Sequence, residues 1–541
     1  MGALAVAGAR IPRRGRRTAA PRRRRLGDGG RPGGGHRAER PARAARPRRR
    51  RRTHRRRDRC ARGRRGGPGR GAGRGRRRGR GAAARRARPG GRRRRAGCRR
   101  APGRAGAGGA RTARTGAAAA PVARHRRAAQ DVHRQAGPCA GRRGRGCRRP
   151  AHPATDVSAP VVVAARRTPI ATAGKALREV TVEKLAAPVL SAVVDDVWPL
   201  TAMRAVDDVV LGNCLGPGGN VARVAALAAG FDSAVPGVTV DRQCGSGLAA
   251  ILQAGQAIRA GDARLVLAGG VESASTAPQR SHRVAPAGGS TGAYDRAPFT
   301  PPEYGDPDMG VAAEELARRR GVIRGRQDAY AAASHAKALL AREAGRFDAE
   351  LVPVDGLEHD DRPRRLNPAV LARMPAAFVP RGTVTAGNSC ANSDGAAVVA
   401  MVGEELRAGR PGLRLVAGAV VGCDPRLPGW GPVPAVHRVL AAARVALGDV
   451  GAVEIVEAFA GQVLAVTDAL GLDPLGRDAG VVCADGGALA LGHPWGASGA
   501  VVVVRLFARL VRGGAPAGTL GLATAAIGGG MGVAALFEVV R

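Results

Sequence analysis

Two residues of the 541-residue chain stand where their surroundings suit covalent chemistry. Cys244 follows the apolar run Val238-Thr239-Val240 by way of Asp241-Arg242-Gln243. It precedes Gly245-Ser246-Gly247 and a series Leu248, Ala249, Ile251, Leu252, Ala254, Ala257 and Ile258 at helical spacing. The thiol is thus expected where a buried strand gives way to a helix. Amide N–H groups and the dipole at a helix start stabilise a thiolate, which predicts a lowered pKa, and the flanking glycines are expected to let a substrate approach the backbone. A cysteine in such a place also serves simply to pack. His493 lies between Gly492 and Pro494, a stiff turn that would aim an imidazole at a fixed target as a general base; a turn histidine is also often just solvated. The third element is Ile527-Gly528-Gly529-Gly530-Met531-Gly532. No Lys-Ser/Thr follows it and no helical pattern opens, which argues against a phosphate loop. Its flanks, Leu522-Ala523-Thr524 and Val533–Phe537, predict two strands and a Gly-rich hairpin with amides free to face a ligand.

The elements that must position these groups read as α/β. Pro160–Ala165, Val206–Leu211, Val238–Val240 and Arg264–Ala268 are short apolar runs of the kind buried on both faces of a sheet. Alternation of such strands with apolar helices predicts α/β layers around a mainly parallel central sheet. From about 277 to 386 the chain is richer in Pro, charge and Tyr, with one amphipathic helix around Arg326–Arg346, and reads as a large inserted lobe. A second strand–helix series begins at Leu413–Val421 and continues through helices near Val436–Leu447 and Gln462–Leu470. Two related halves, 157–412 with the insertion and 413–541, are therefore expected.

The net charge of +49 belongs to neither half. Residues 1–150 hold 53 Arg, no Lys and four acidic residues, and all 13 aromatics lie after residue 197. The remainder is neutral, with 37 bases and 37 acids. A segment with so few large apolar side chains cannot offset the entropy of folding, so residues 1–156 are expected to be a low-complexity leader, disordered or a gene-model artefact. A nucleic-acid arm would bind through phosphate neutralisation, but the leader has no aromatic platform and no Lys. A transit peptide would be Ser-rich and much shorter. Arg, Gly, Ala and Pro without Lys is what GC-rich DNA yields out of frame, with a start near Val157. No run of 18 apolar residues occurs, so no membrane span is expected. The nine Cys are scattered and suit a reducing, cytoplasmic compartment.

Taken together, the chemical elements and several stretches between them resemble the thiolases, the acyl-CoA acyltransferases of acetyl-CoA C-acetyltransferase type. The matching stretches are Asn220-Val221-Ala222-Arg223, Cys244–Gly247, Ala268–Ser273, Asp308-Met309-Gly310, Gln327–Tyr330, Phe378–Asn388, Gly492-His493-Pro494 and the triple glycine. They cover nearly all of 157–541. The resemblance implies a duplicated five-layered α/β/α/β/α core, a loop lobe that binds CoA, and a homodimer or homotetramer. It implies acyl-CoA substrates in lipid metabolism, no resident cofactor beyond the CoA thioester itself, and no metal. It implies that Cys244 takes the acyl group, that His493 activates it, and that the backbone N–H groups of Cys244 and Gly528 hold the thioester oxyanion. Met309, Phe378 and Ser389 are the implied substrate-binding residues.

Two departures from the family pattern bear on the chemistry. Thiolases carry a second Cys just before Ile-Gly-Gly-Gly, which removes the α-proton of the second acyl-CoA in condensation and donates a proton in thiolysis; here that position is Ala526. The family's Asn-Glu-Ala-Phe, whose Asn holds an oxyanion water, is here Val456-Glu457-Ala458-Phe459. Loss of one oxyanion donor costs about a hundred- to a thousand-fold in rate. A Ser common in the CoA-contacting Gly-Asn-x-Ser stretch is Cys390, beside Ser389; its expected place near the CoA arm gives no reason to favour it as a replacement thiol. The expected function is acyl transfer between CoA thioesters through an acyl-cysteine. Two alternatives stand beside it: a condensing enzyme that forms its carbanion by decarboxylation, and a non-catalytic thiolase-like subunit working with a partner chain.

Overall fold

A computed structural model describes residues 158–197, 206–284, 291–294 and 296–541. The expectations for the Arg-rich leader, and for a start near Val157, fall outside the described residues. The apolar runs form strands in the expected places: β1 (Pro160–Arg167), β2 (Asp208–Gly212), β3 (Val238–Val240), β4 (Leu265–Ser273), then β5 (Ser393–Gly403), β6 (Gly412–Gly422), β7 (Val450–Ile455), β8 (Leu520–Ile527) and β9 (Met531–Val540). With the short strand Ala171–Thr172 on β5 they make one ten-stranded sheet, ordered β7-β8-β9-β6-β1-β5-β4-β2-β3.

Outward from its centre the sheet reads β1-β5-β4-β2-β3 on one side and β6-β9-β8-β7 on the other, so the same order of strands occurs twice. A parallel bridge from Val453 to Val482 marks the fifth position of the second set, as β3 does beside β2. The two sets join only at Val161–Arg414 and Val162–Leu413. The sheet is mixed rather than mainly parallel: β2, β3 and β4 run parallel, as do β7 and β8, while every pairing through the centre is antiparallel. The expectation failed because β8 and β9 are joined by a tight turn and the long lobe between β4 and β5 returns the chain antiparallel rather than as a crossover.

The layers follow from side-chain alternation. Along β5, Ala397, Val399 and Met401 enter an inner apolar layer, while Ala396, Val398, Ala400 and Val402 enter an outer one. Helices α1 (Val182–Val197) and α2 (Val221–Ala228) cover the outer face of the N-terminal set. Between the two sets lie α3 (Ser246–Ala260) and, from the C-terminal half, α8 (Trp495–Leu506). Helices α6 (Pro432–Ala443) and α7 (Ala460–Leu470) close the far side, completing five layers. The inserted residues contain α4 (Met309–Arg319) and α5 (Arg324–Glu343). Their Leu316, Ala317, Tyr330 and Ala331 share an apolar cluster with α7.

The end of the insertion is locked by buried ion pairs. Arg167 meets Glu350 at 2.6 Å and Asp360 at 2.7 Å, and Arg505 of α8 pairs with Glu350 and Asp485. Both guanidinium groups lie over the Phe347 ring, 5.4 and 4.6 Å from its centroid. Each charge has an opposite partner, the condition under which charges survive burial, although the Arg505 Nε is left without a hydrogen bond.

Candidate active site

The two central helices meet at their first turns, and glycine makes this possible. A Cβ on Gly247 would sit 2.7 Å from the Ala500 nitrogen, and one on Gly499 would sit 2.5 Å from the Leu248 nitrogen. Gly245 is equally constrained, since its Cβ would lie 2.5 Å from Ile527 Cδ1. The glycines flanking Cys244 therefore serve the protein's own packing, not the approach of a substrate to the backbone. Ahead of Cys244 the chain is strained: Gln243 has φ 47°, a region costly for a residue with a Cβ. Its carbonyl accepts hydrogen bonds from Ser246 Oγ at 2.7 Å and Cys214 Sγ at 3.2 Å, and Ser246 Oγ in turn accepts from the Arg242 N–H at 2.7 Å.

His493 lies just before α8. Its backbone N–H donates to the Ala391 carbonyl at 3.0 Å and to Ser393 Oγ at 3.1 Å. Gly492, at φ 115°, turns the chain where a Cβ would strike Ser393 Oγ at 2.5 Å. The ring spans two partners, Ser498 Oγ at 2.7 Å from Nδ1 and Cys244 Sγ at 3.3 Å from Nε2. Both contacts of the Ser498 hydroxyl are satisfied together only when it donates to the Pro494 carbonyl, at 3.0 Å, and accepts from Nδ1–H. The proton therefore resides on Nδ1, and the Nε2 lone pair faces the thiol. Burial lowers the His493 pKa to about 4 and raises that of Cys244 to about 12, although the amides of Cys244 and Gly528 pull the thiol back down. The resting pair is neutral, thiol and imidazole. This corrects the expectation of a helix-start thiolate: desolvation outweighs the dipole and the two amides.

Glu272 holds the two turns together from below. Its buried carboxylate accepts from Asn213 Nδ2 at 3.0 Å, the N–H groups of Cys214 and Leu215 at 3.1 Å each, and the Gly496 N–H at 2.9 Å. Burial pushes its pKa up to about 7 against those donors. Glu457 plays a similar part on the other side. It accepts from Tyr330 and Ser334 of α5, both at 2.7 Å, and from the Leu489 N–H at 3.2 Å.

Cys244 and His493 open into a cavity of about 690 Å³ lined mainly by apolar groups, within the range of small-molecule sites. Gly528, Met309, Phe378, Ser389 and Ala526 all line it. Phe378 packs edge-to-face on Phe459, with centroids 5.9 Å apart. Val456 alone of the singled-out positions lies elsewhere. It is 2% exposed and packs in the inner apolar layer, and the cavity wall there is made by Ala458 and Phe459. Sequence reading missed Ser498 as the group that orients His493, although a signal existed: His493 and Ser498 occupy the N′ and N4 positions of α8, which face each other across a helix start. It also missed Trp495 and the closeness of Cys390, both of which line the cavity. Among the described residues no cluster of three or more His, Cys, Asp or Glu side chains is arranged to hold a metal ion.

Comparison with known proteins agrees with this arrangement along the described chain. The family model for the thiolase N-terminal domain matches residues 160–405 and that for the thiolase C-terminal domain matches residues 410–539. YhfS of Bacillus subtilis is 40% identical over 389 residues, covering 70% of this chain and 99% of its own. An acetyl-CoA acetyltransferase of Pseudomonas aeruginosa is 39% identical over 402 residues, covering 69% of this chain and 98% of its own. The crystal structure of the Bacillus anthracis acetyl-CoA acetyltransferase superposes with a TM-score of 0.65 at 37% identity, covering 71% of this chain and 99% of that one. With both of its halves matched and the double strand order in place, the chain belongs to the thiolase family.

Proposed function

We propose that the protein transfers acyl groups between CoA thioesters through an acyl-Cys244 intermediate. The observation that carries this is the Cys244–His493 pair, 3.3 Å apart, with the imidazole fixed by Ser498 in its proton-accepting tautomer. As sulfur attacks the thioester carbonyl, Nε2 takes its proton. The amides of Cys244 and Gly528, which point at the sulfur, would hold the carbonyl oxygen as it gains charge. Met309, Phe378 and Ser389 would contact the acyl-pantetheine arm. Nucleophile and base are both side chains, so the acylation step calls for no resident cofactor.

Assembly as a homodimer or homotetramer is supported by β3. It ends the sheet with an open edge, and Val238 on it and Val224 and Leu227 on neighbouring α2 are exposed apolar side chains. No helix among the described residues is long and apolar enough to cross a membrane. A cytoplasmic setting suits a nucleophile that must remain a reduced thiol. Incubation with acetyl-CoA should add one acetyl mass to the Cys244 peptide, absent in Cys244→Ala, with turnover of acetoacetyl-CoA and free CoA. Absence of both would overturn the reading in favour of a non-catalytic subunit. Condensation with a malonyl but not an acetyl thioester would favour the decarboxylative alternative.

A further inference from the structure

Ala526 carries no thiol, but another cysteine, Cys390, lines the same cavity. Residues 389–393 run between the two parts of the site: Ser389 bridges Phe459 and the Cys390 N–H donates to the Ala458 carbonyl at 3.0 Å, while Asn392 bridges His493. Cys390 is thereby set into the wall of the same cavity as Cys244, His493 and Ala526. The other described cysteines have partners for their sulfurs: Cys214, Cys423 and Cys483 turn to backbone carbonyls, and Cys244 to His493. Among the described residues the Cys390 sulfur meets its own backbone N–H and no carbonyl or side-chain partner, so it stays open to a molecule bound in the cavity.

Building on the acyltransferase reading above, we propose that Cys390 is the second acid–base group of this enzyme, doing from the segment that leads into β5 what Ala526 at the end of β8 cannot. In the first half-reaction Nε2 takes the Cys244 proton, sulfur bonds to the acyl carbon, and the bond from that carbon to CoA breaks. Cys390 gives its proton to the departing CoA thiolate, leaving acyl-Cys244, an imidazolium and a Cys390 thiolate. In the second, that thiolate removes the α-proton of an incoming acyl-CoA. The α-carbon bonds to the acyl carbon as its bond to Cys244 breaks, and the Cys244 sulfur recovers a proton from the imidazolium. Protons and electron pairs balance over the cycle, and thiolysis is the same sequence reversed. Burial, and then the Cys244 sulfur, raise the Cys390 pKa to about 12, while the Arg362 guanidinium favours its thiolate.

The test compares wild type, Cys390→Ala and Cys390→Ser by three readouts: acetyl mass on Cys244, exchange of the acetyl-CoA α-protons in heavy water, and thiolysis of acetoacetyl-CoA. Both variants should still acylate Cys244 but lose exchange and thiolysis by about 100-fold or more, the scale of general acid–base catalysis. Serine does not rescue, because its hydroxyl is a far weaker acid. Variants that keep wild-type exchange overturn the assignment. So does a wild type that acylates Cys244 without exchanging α-protons, which leaves the acyl-enzyme reading standing. Loss of Cys244 acylation in both variants would make Cys390 a packing residue and also overturns it. A wild type that does not acylate Cys244 at all overturns the acyltransferase reading and this inference with it.

Discussion

The connection from β4 to β5 and the one from β8 to β9 occupy the same place in the two halves, yet the first runs through residues 274–392 and the second is three glycines. Both nevertheless deliver to one cavity. The long connection ends in Ser389 and Cys390, and the short one lies between Ala526 and Met531 with Gly528 facing the nucleophile. The halves share a second feature: each turns beyond its outer strand position through a non-glycine residue at positive φ, Gln243 at 47° and Cys483 at 41°. Beyond the first lies Cys244, open to the cavity. The second is itself a buried cysteine, with its sulfur on the Ile455 carbonyl. A duplicated frame thus provides two similar helix starts, and the residues placed there divide the labour. One start carries Cys244, the proposed nucleophile, and the other carries His493, its proposed base.

If the halves act as one unit, Cys244→Ala and His493→Ala should each lower kcat/KM for thiolysis by on the order of 10⁴-fold or more, and the double variant should be no worse than the poorer single. Multiplying losses in steady-state assays would show that the halves contribute separately. Their physical contact is tested next. Gly499→Val, which drives side chain into the first turn of α3, should destabilise the fold by about 3 kcal/mol, read as a shift in denaturant midpoint without a change in slope. Ser498→Ala removes the acceptor for Nδ1–H and should raise the acylation barrier by about 2 kcal/mol, seen in single-turnover acylation with KM unchanged. Val456→Asn restores the family's side chain at a position that here faces the core. It should cost about 1 kcal/mol of stability for a buried amide and bring no gain in turnover; a rate gain would place residue 456 at the reacting centre after all.

The finest distinction lies in pH. The His493 pKa is lowered to about 4 from 6.5, so the imidazole remains a competent base well below the usual histidine range. The acylation rate should hold to about pH 4 with no inflection near 6.5. The unfolded chain binds that proton between pH 6.5 and 4 and the folded one does not, so this group also weakens the fold as pH falls through the same window. Because the Cys244 thiol is raised to about 12, its alkylation by iodoacetamide, followed on the isolated peptide, should keep climbing roughly tenfold per unit beyond pH 9. A plateau near pH 7 would show a thiolate–imidazolium pair instead.

Much of this arrangement is legible in the sequence because burial on both sheet faces leaves continuous apolar runs, as at Pro160–Ala165 and Leu413–Val421, and because a three-glycine turn between two such runs reads as a hairpin. The convergence of Cys244, His493, Gly528, Met309, Phe378 and Ser389 on one cavity is implied by the resemblance to the thiolases. What escaped depends on distance through space. The α4 helix buries Gly310, Ala312, Ala313, Leu316 and Ala317 on one face, but that face is mostly small residues within a stretch that reads as an irregular lobe, and only its packing on α7 brings it out. Strand direction is set by the connections at β5 and β9, which apolar runs do not encode. The charge state of Cys244 turns on how completely the layers bury it, a quantity that a local rule about helix starts leaves out. Val456 and Cys390 changed roles for the same reason: one faces a core and the other a cavity, and neighbours in sequence do not reveal which.

The neutral thiol has a bearing on the life of the enzyme between turnovers. Peroxides and disulfides react with thiolates, and oxidation of a cysteine follows its thiolate character. A thiol that keeps its proton, and in the proposed reaction gives it up only to His493 once a thioester arrives, offers little to an oxidant while idle. Its vulnerable interval is confined to the moment when substrate already covers it. The burial that makes Cys244 a reluctant acid thus also acts as a guard against chemical ageing.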